Sequence, residues 1–404
     1  MKIRRRTLQL TTQNWQELEA KYYMRTFNRL PLVLVRGEGA RVWDDKGNSY
    51  LDMVAGLAVN VLGHCHPAVV EAITHQARTL IHTTNLYYTT PQLELAQLLI
   101  ENSCADRIFF ANSGAEANEG ALKLARKWGR LNRNGAYEVI TADNSFHGRT
   151  LATLAATGQP KYHKPFEPMP AGFVSVPFND LAALKAATGP QTCAVMLEVV
   201  QGESGIHLAN HDYLVGVRQW CNEQGLLLIF DEIQAGMGRT GKFLSFEHHG
   251  VEPDVFTLAK GLAGGVPIGA FLSKEAVSIL SAGDHGSTFG GSPLACAAGV
   301  ATVGTILRED LAVHSAEIGA YALAKLRDLQ SRHDLIAEVR GMGLMLAFDL
   351  KTESAAKVVT EGLKRGLILN NTGPQTIRMV PPLIIGKAEV DEAIATIDLI
   401  LAEL

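Results

Sequence analysis

Between residues 90 and 290, this 404-residue chain repeats one pattern: a short apolar run, a turn, then a stretch of helical periodicity. The runs at 107–111, 137–142, 194–199, 226–231, 255–259 and 268–273 are predicted strands, with helical stretches between most of them. Alternation of this kind implies an α/β architecture: a large, doubly wound, mainly parallel sheet with helices on both faces. In such sheets ligands bind beyond the carboxyl ends of the strands. The chain places its unusual residues at those ends.

The flanks differ. Residues 15–28 read as a helix, and after Pro31 the run LVLVRGEGARVWDDKGNSYLD alternates as strands with turns at Glu38-Gly39 and Lys46-Gly47. Pro67 is placed to start a helix. Beyond 295 two long helices are followed by short strands near 336–340, 344–350, 367–370 and 376–380, and an amphipathic helix over 388–404, a smaller α+β unit. Composition is globular, 47% hydrophobic and 19% charged. A net charge of -4 gives no reason to expect nucleic acid or an anionic membrane. No apolar run approaches the ~20 residues that span a bilayer. MKIRRRTLQL lacks the apolar stretch of a secretory signal. Five scattered cysteines without a C-x-x-C pattern suit reduced thiols and a cytoplasmic protein. His64-Cys65-His66 lacks a second ligand cluster, so no metal is expected.

Lys260 ends the apolar run 255–259 and is followed by glycines 261, 264 and 265. An ammonium there is costly unless paired or chemically used, although a lysine stem in the core with its head in water explains it as well. Asp231 ends the run LLLIF and needs a strong partner: a salt bridge, a helix cap, or the ring nitrogen of pyridoxal phosphate. Ser113, Gly114 and Ala115 open a helix after RIFFA, where backbone N–H groups and the helix dipole suit a phosphate, or where Ser113 is a plain cap. Phe146 or His147 is able to stack on a flat ring, and Arg149 offers a fork for a carboxylate. Glu203 sits in a glycine-flanked loop, Ser287 and Thr288 in a second loop suited to phosphate, and Arg378 is a second carboxylate anchor. Together they support a Schiff base between Lys260 and pyridoxal phosphate.

The stretches GHCHP (63–67), NSGAEAN (112–118), SFHGRT (145–150), QGE (201–203), LLIFDEIQ (227–234), GMGRTGK (236–242), LAKGLAGGVPIGA (258–270), HGSTFGGSPLA (285–295) and IRMVPPL (377–383) carry a resemblance. In this order they are similar to class III aminotransferases of pyridoxal-phosphate fold-type I, and to the acetylornithine aminotransferase subgroup. The resemblance implies a large cofactor domain over 61–295 and a small domain built from 1–60 and 296–404. It implies Lys260 as the Schiff-base lysine and proton shuttle, and Asp231 as partner of the pyridine nitrogen. Ser113, Gly114 and Ala115 become the phosphate loop, Phe146 the ring-stacking aromatic with His147 beside it, and Gln234 the neighbour of the 3-hydroxyl. Thr288 reaches the phosphate of a neighbouring subunit's cofactor, so a homodimer with shared active sites is implied. Arg149, Arg378 and Ser287 fall to the substrate. Val199, Ala235 and Ser292 stand where proline, threonine and asparagine are common; none replaces a catalytic atom.

The implied reaction moves the terminal amine of N2-acetyl-L-ornithine to 2-oxoglutarate, giving N-acetyl-L-glutamate 5-semialdehyde and L-glutamate. Donors such as succinylornithine, acyl-lysine, ornithine or 4-aminobutyrate share the same motifs. The two substrates pose a charge problem. An ω-amine donor brings no carboxylate to Arg378, and a buried unpaired guanidinium is expensive. Glu203 resembles the family's gating glutamate, which pairs with that arginine for one substrate and leaves for the other.

Overall fold

The computed structural model describes residues 15–404; the readings of the basic N-terminal segment lie outside the described residues. The central sheet has seven strands in the spatial order Arg107–Ala111, Gly269–Ser273, Val255–Leu258, Leu227–Asp231, Thr192–Leu197, Glu138–Ala142 and Phe173–Val176. All pair in parallel except Gly269–Ser273, which runs antiparallel to both its neighbours. Only six of the seven were expected. Phe173–Val176 is a four-residue edge strand, too short for its apolar content to stand out in sequence.

The strands are apolar throughout because both faces are covered. Leu227, Ile229, Val139, Ala194, Met196 and Phe271 pack on one side with Ala121, Leu122, Leu124 and Ala125 of the helix Gly114–Asn132. Leu228, Phe230, Ile140, Val195, Leu197 and Phe256 face the larger core on the other side. Successive residues of a strand point to opposite faces, so the period of two is hidden when both are buried. Each buried Val, Leu, Ile, Met or Phe among them contributes roughly 1.5–3 kcal/mol by leaving water.

Of two smaller sheets, one draws on both ends of the chain and the other on the C-terminal part alone. Leu34–Glu38, Arg41–Asp44 and Ser49–Asp52 form one, completed by Leu367–Ile368 in parallel beside Ser49–Asp52. Ile336–Met342, Met345–Leu350, Thr376–Met379 and Asn370–Asn371 form the other, all antiparallel. The single strand expected over 367–370 is therefore two, one in each sheet. The helix Pro293–Arg308 carries the chain across residue 295 without a break. The helix expected over 15–28 stops at Tyr22; it buries no residue, so no packing extends it.

Candidate active site

Five parallel strand ends and the loops after them converge on one cavity of about 360 Å³. Its wall includes Ser113, Gly114, Ala115, Phe146, His147, Arg149, Glu198, Glu203, Asp231, Gln234 and Lys260. Most of the residues singled out in sequence are thus brought together, although they lie up to 147 positions apart in the chain (Ser113 to Lys260).

Asp231 ends its strand opposite Thr257 and is buried. Its Oδ2 accepts a bond from Asn118 Nδ2 and lies against His147 Nδ1, each at 2.8 Å, while Oδ1 accepts the Ile233 N–H at 3.1 Å. Three of its roughly four acceptor positions are used, and the carboxylate still faces the cavity. Burial alone would lower the His147 imidazole, but the bond and charge of Asp231, with Glu198 behind them, raise it. His147 is thus Asp231's buried support, with its Nε2 unpartnered.

Lys260 follows the strand Val255–Leu258 with a φ of 41°. A non-glycine residue in this region is strained, a feature that concentrates at functional sites. Burial lowers its ammonium below the ordinary lysine value, against the opposing charge of Glu203, with Arg378 adding to the fall. No described residue hydrogen-bonds its Nζ, which is the condition of an amine available for chemistry rather than for a salt bridge.

Ser113 caps the helix Gly114–Asn132, its Oγ accepting the Glu116 N–H at 3.2 Å. Both sequence readings hold for it: its hydroxyl is the cap, and the residue also lines the cavity. The N–H groups of Gly114 and Ala115 donate to no described residue and lie where the helix dipole favours an anion. The antiparallel strand presses on this loop. A Cβ on Gly269 would sit 2.1 Å from the Ser113 carbonyl oxygen, so only glycine allows the approach. Phe146 stands edge-on to Tyr162, and the Arg149 guanidinium lies over the Tyr162 ring at 4.1 Å.

Arg378 is 1% exposed and is not in the cavity wall. It is bonded to two residues that are: Glu203 Oε2 at 2.8 Å and Gln234 Oε1 at 3.5 Å. Gly202 lets them meet, since a Cβ there would lie 2.0 Å from Gln234 Oε1. The Gly202 carbonyl accepts a third bond at 3.0 Å, and Asn370 Oδ1 accepts two more.

Ser287 and Thr288 are not in this cavity. Ser287 Oγ accepts a bond from Asn112 Nδ2 at 3.1 Å, one residue before the anion-facing loop. Thr288 is exposed and lines a separate cleft with Asn85 and Gln92.

Sequence reasoning missed Asn118, Glu198 and Asn370 as site residues. Asn118 is a polar residue in the apolar stripe of its helix, which is a usable signal. Glu198 follows a wholly buried strand, the same signal that marked Asp231. Its carboxyl accepts the Phe146 N–H at 3.0 Å, and burial pushes its pKa up to about 8. Nothing in the sequence marks Asn370.

The pocket fits pyridoxal phosphate: an available amine, a buried carboxylate, anion-facing amides and an aromatic ring share one wall. The sequence matches the family model "Aminotransferase class-III" over residues 22–401. It is 53% identical over 387 residues to the acetylornithine aminotransferase of Caldanaerobacter subterraneus subsp. tengcongensis, covering 96% of this chain and 98% of that one. It is 51% identical over 401 residues to that of Methanocaldococcus jannaschii, covering 98% and 100%. The fold superposes with a TM-score of 0.93 on the ornithine aminotransferase of Toxoplasma gondii, at 33% identity over 96% of this chain and 93% of that one, in a structure reporting pyridoxal phosphate at the active site. The chain belongs to the class III aminotransferases, pyridoxal-phosphate-dependent transaminases of fold-type I.

Proposed function

We propose that this enzyme transfers the terminal amine of N2-acetyl-L-ornithine to 2-oxoglutarate, a step of arginine biosynthesis, and does so as a cytoplasmic homodimer. The observation that carries this reading is the Arg378–Glu203 pair, 2.8 Å apart beside the cavity. It is the arrangement a donor without an α-carboxylate at the reacting end requires. The names of the relatives above supply the acetylated donor.

Pyridoxal phosphate, when bound, supplies the electron sink for the substrate carbon. Lys260 would hold it covalently, Asp231 at its ring nitrogen, Phe146 on its face, Gln234 at its hydroxyl, and Ser113, Gly114 and Ala115 at its phosphate. Once the substrate amine has displaced it, Lys260 Nζ would be the base that takes and holds the proton from the substrate carbon. Its lowered pKa leaves a larger neutral fraction near pH 7 for that task. Asp231, fixed by Asn118 and His147, keeps a negative charge at the base of the cavity. Arg149 meets the distal carboxylate of the donor. Glu203 neutralises Arg378 while the donor is present and turns away when 2-oxoglutarate brings its own carboxylate.

Thr288 supports the shared-site dimer because it lies outside its own chain's cavity and is exposed, as is its chain neighbour Phe289. Five free cysteines suit a reducing compartment. By the same reading, 1–60 and 296–404 make the small domain, with Leu367–Ile368 paired to Ser49–Asp52 as support. Among the described residues no helix is long and apolar enough to cross a membrane.

A panel of amino donors tests the substrate, with 2-oxoglutarate as acceptor and Lys260→Ala as the blank. N-acetylornithine is expected to exceed ornithine, 4-aminobutyrate and acyl-lysine in kcat/KM. A panel led by ornithine or 4-aminobutyrate overturns the assignment of the donor.

A further inference from the structure

We infer that Asn370 is a positioning residue that makes the two-substrate arrangement at Arg378 workable, by holding the guanidinium without neutralising it. The inference rests on the proposed function above and adds a residue that neither the sequence motifs nor the gate contains.

The placement comes from strand register. Asn370 and Arg378 are directly opposed partners on the antiparallel strands Asn370–Asn371 and Thr376–Met379. Opposed residues share one face of the sheet, and a shift of one position would turn Asn370 away. Its Oδ1 accepts from Arg378 Nε at 3.1 Å and from Nη2 at 2.6 Å. The amide must present its oxygen here, because its NH₂ would oppose two donors.

A guanidinium has two edges that pair with carboxylates: the side made by Nε and Nη2, and the end made by Nη1 and Nη2. Asn370 occupies the side edge with a single oxygen. Glu203 meets only Nη1, at the end, and the Gly202 carbonyl shares that nitrogen. One carboxylate position therefore remains in contention, the end edge that Glu203 now partly holds.

The neutrality of Asn370 is the decisive property. With Glu203 in place the buried charge of Arg378 has one compensating anion. When Glu203 leaves, the neutral acceptors of Asn370 and Gly202 keep the fork hydrogen-bonded but leave its charge uncompensated. An incoming carboxylate then gains the full interaction. An aspartate at 370 would keep the same shape and the same acceptor while compensating Arg378 permanently. The arginine would then have little affinity left for a second carboxylate, and Glu203 would have no charge to answer.

The test uses Asn370→Asp, which changes charge at nearly constant shape, with Asn370→Ala removing the acceptor. The first readout is equilibrium binding of glutarate, a non-reacting five-carbon dicarboxylate, to the holoenzyme by calorimetry. The second is the half-saturation of each half-reaction in single-turnover absorbance. Asn370→Asp is expected to weaken glutarate at least tenfold and to raise the half-saturation for 2-oxoglutarate similarly, with an effect on the amine half-reaction at least fivefold smaller. Asn370→Ala should weaken glutarate less than Asn370→Asp does. A merely structural role predicts the reverse order, since alanine disturbs packing more than aspartate. Unchanged glutarate binding in Asn370→Asp, or an alanine loss exceeding the aspartate loss, overturns the inference. Glutarate binding is read even if wild-type enzyme fails to use N-acetylornithine, so failure of the donor assignment is seen separately.

Discussion

Asp231 and Arg378 are both buried charges at one cavity, and they are treated in opposite ways. Asp231 is held by Asn118, His147 and the Ile233 N–H, all from the central sheet's own loops and helix. Arg378 comes from a small sheet and is held partly by Glu203, a residue on a loop after another strand. The first charge has permanent partners because it performs the same task with every substrate. Under the proposed function the second has a removable partner, because its task would change between half-reactions. A buried charge needs compensation in either case, and the partner's mobility is what distinguishes a fixed device from a switchable one.

The largest break in this comparison comes from the fixed end. Losing one member of a buried, hydrogen-bonded charge constellation costs ~3–5 kcal/mol, equivalent to about 10²–10⁴-fold. Asp231→Ala is therefore expected to lower kcat/KM by about 10³-fold in both half-reactions alike, measured by single-turnover absorbance. A loss confined to one half would show that this end, too, discriminates substrates.

The switchable end should respond unevenly. Glu203→Ala leaves Arg378 uncompensated only when the donor is bound. The amine half-reaction is expected to fall about tenfold more than the glutamate half, a differential of ~1.4 kcal/mol. Equal losses in the two halves would remove the gate.

The smallest effect sharpens the comparison between catalysis and folding. Glu198 carries a carboxyl pushed from 4.5 up to about 8, chiefly by burial. Because the folded state holds this proton more tightly than the unfolded one, its contribution to stability is complete below pH 4.5. It is lost as pH rises toward about 8. The slope is at most ~1.4 kcal/mol per pH unit for one proton. Glu198→Gln stays neutral and keeps an acceptor for the Phe146 N–H. Its Tm relative to wild type, in protein freed of cofactor, is expected to be higher at pH 8 than at pH 5. A pH-independent difference in Tm would show that Glu198 is not the titrating group. Glu232, pushed up to about 7 and bonded to Ser245 and Phe246, adds a similar slope that the substitution leaves in place.

Much of the site was legible because it follows from strand ends. A charged residue closing an apolar run is conspicuous, and Lys260 and Asp231 both stand in that position. Glu198 carries the same signal, a carboxylate directly after the wholly buried strand Thr192–Leu197. The helix cap at Ser113 was readable from local chemistry; the cap at Ser292, whose Oγ accepts the Ala295 N–H at 3.4 Å, emerges only in the structure. The edge strand Phe173–Val176 was not readable, since four residues of mixed burial carry little period.

The chain's order of apolar runs determined the architecture by itself, because burial on both faces demands strands apolar along their whole length. Motif identity determined the family and its cofactor. Tertiary structure alone decided the direction of Gly269–Ser273, which returns antiparallel after the turn at Lys260 and presses Gly269 onto the Ser113 carbonyl. It alone divided 367–371 between two sheets and set Asn370 opposite Arg378. The reason is range. Periodicity and capping act over a few residues and are written in the local sequence. A cross-strand pair depends on register, and register is set by every contact that holds the two strands in place.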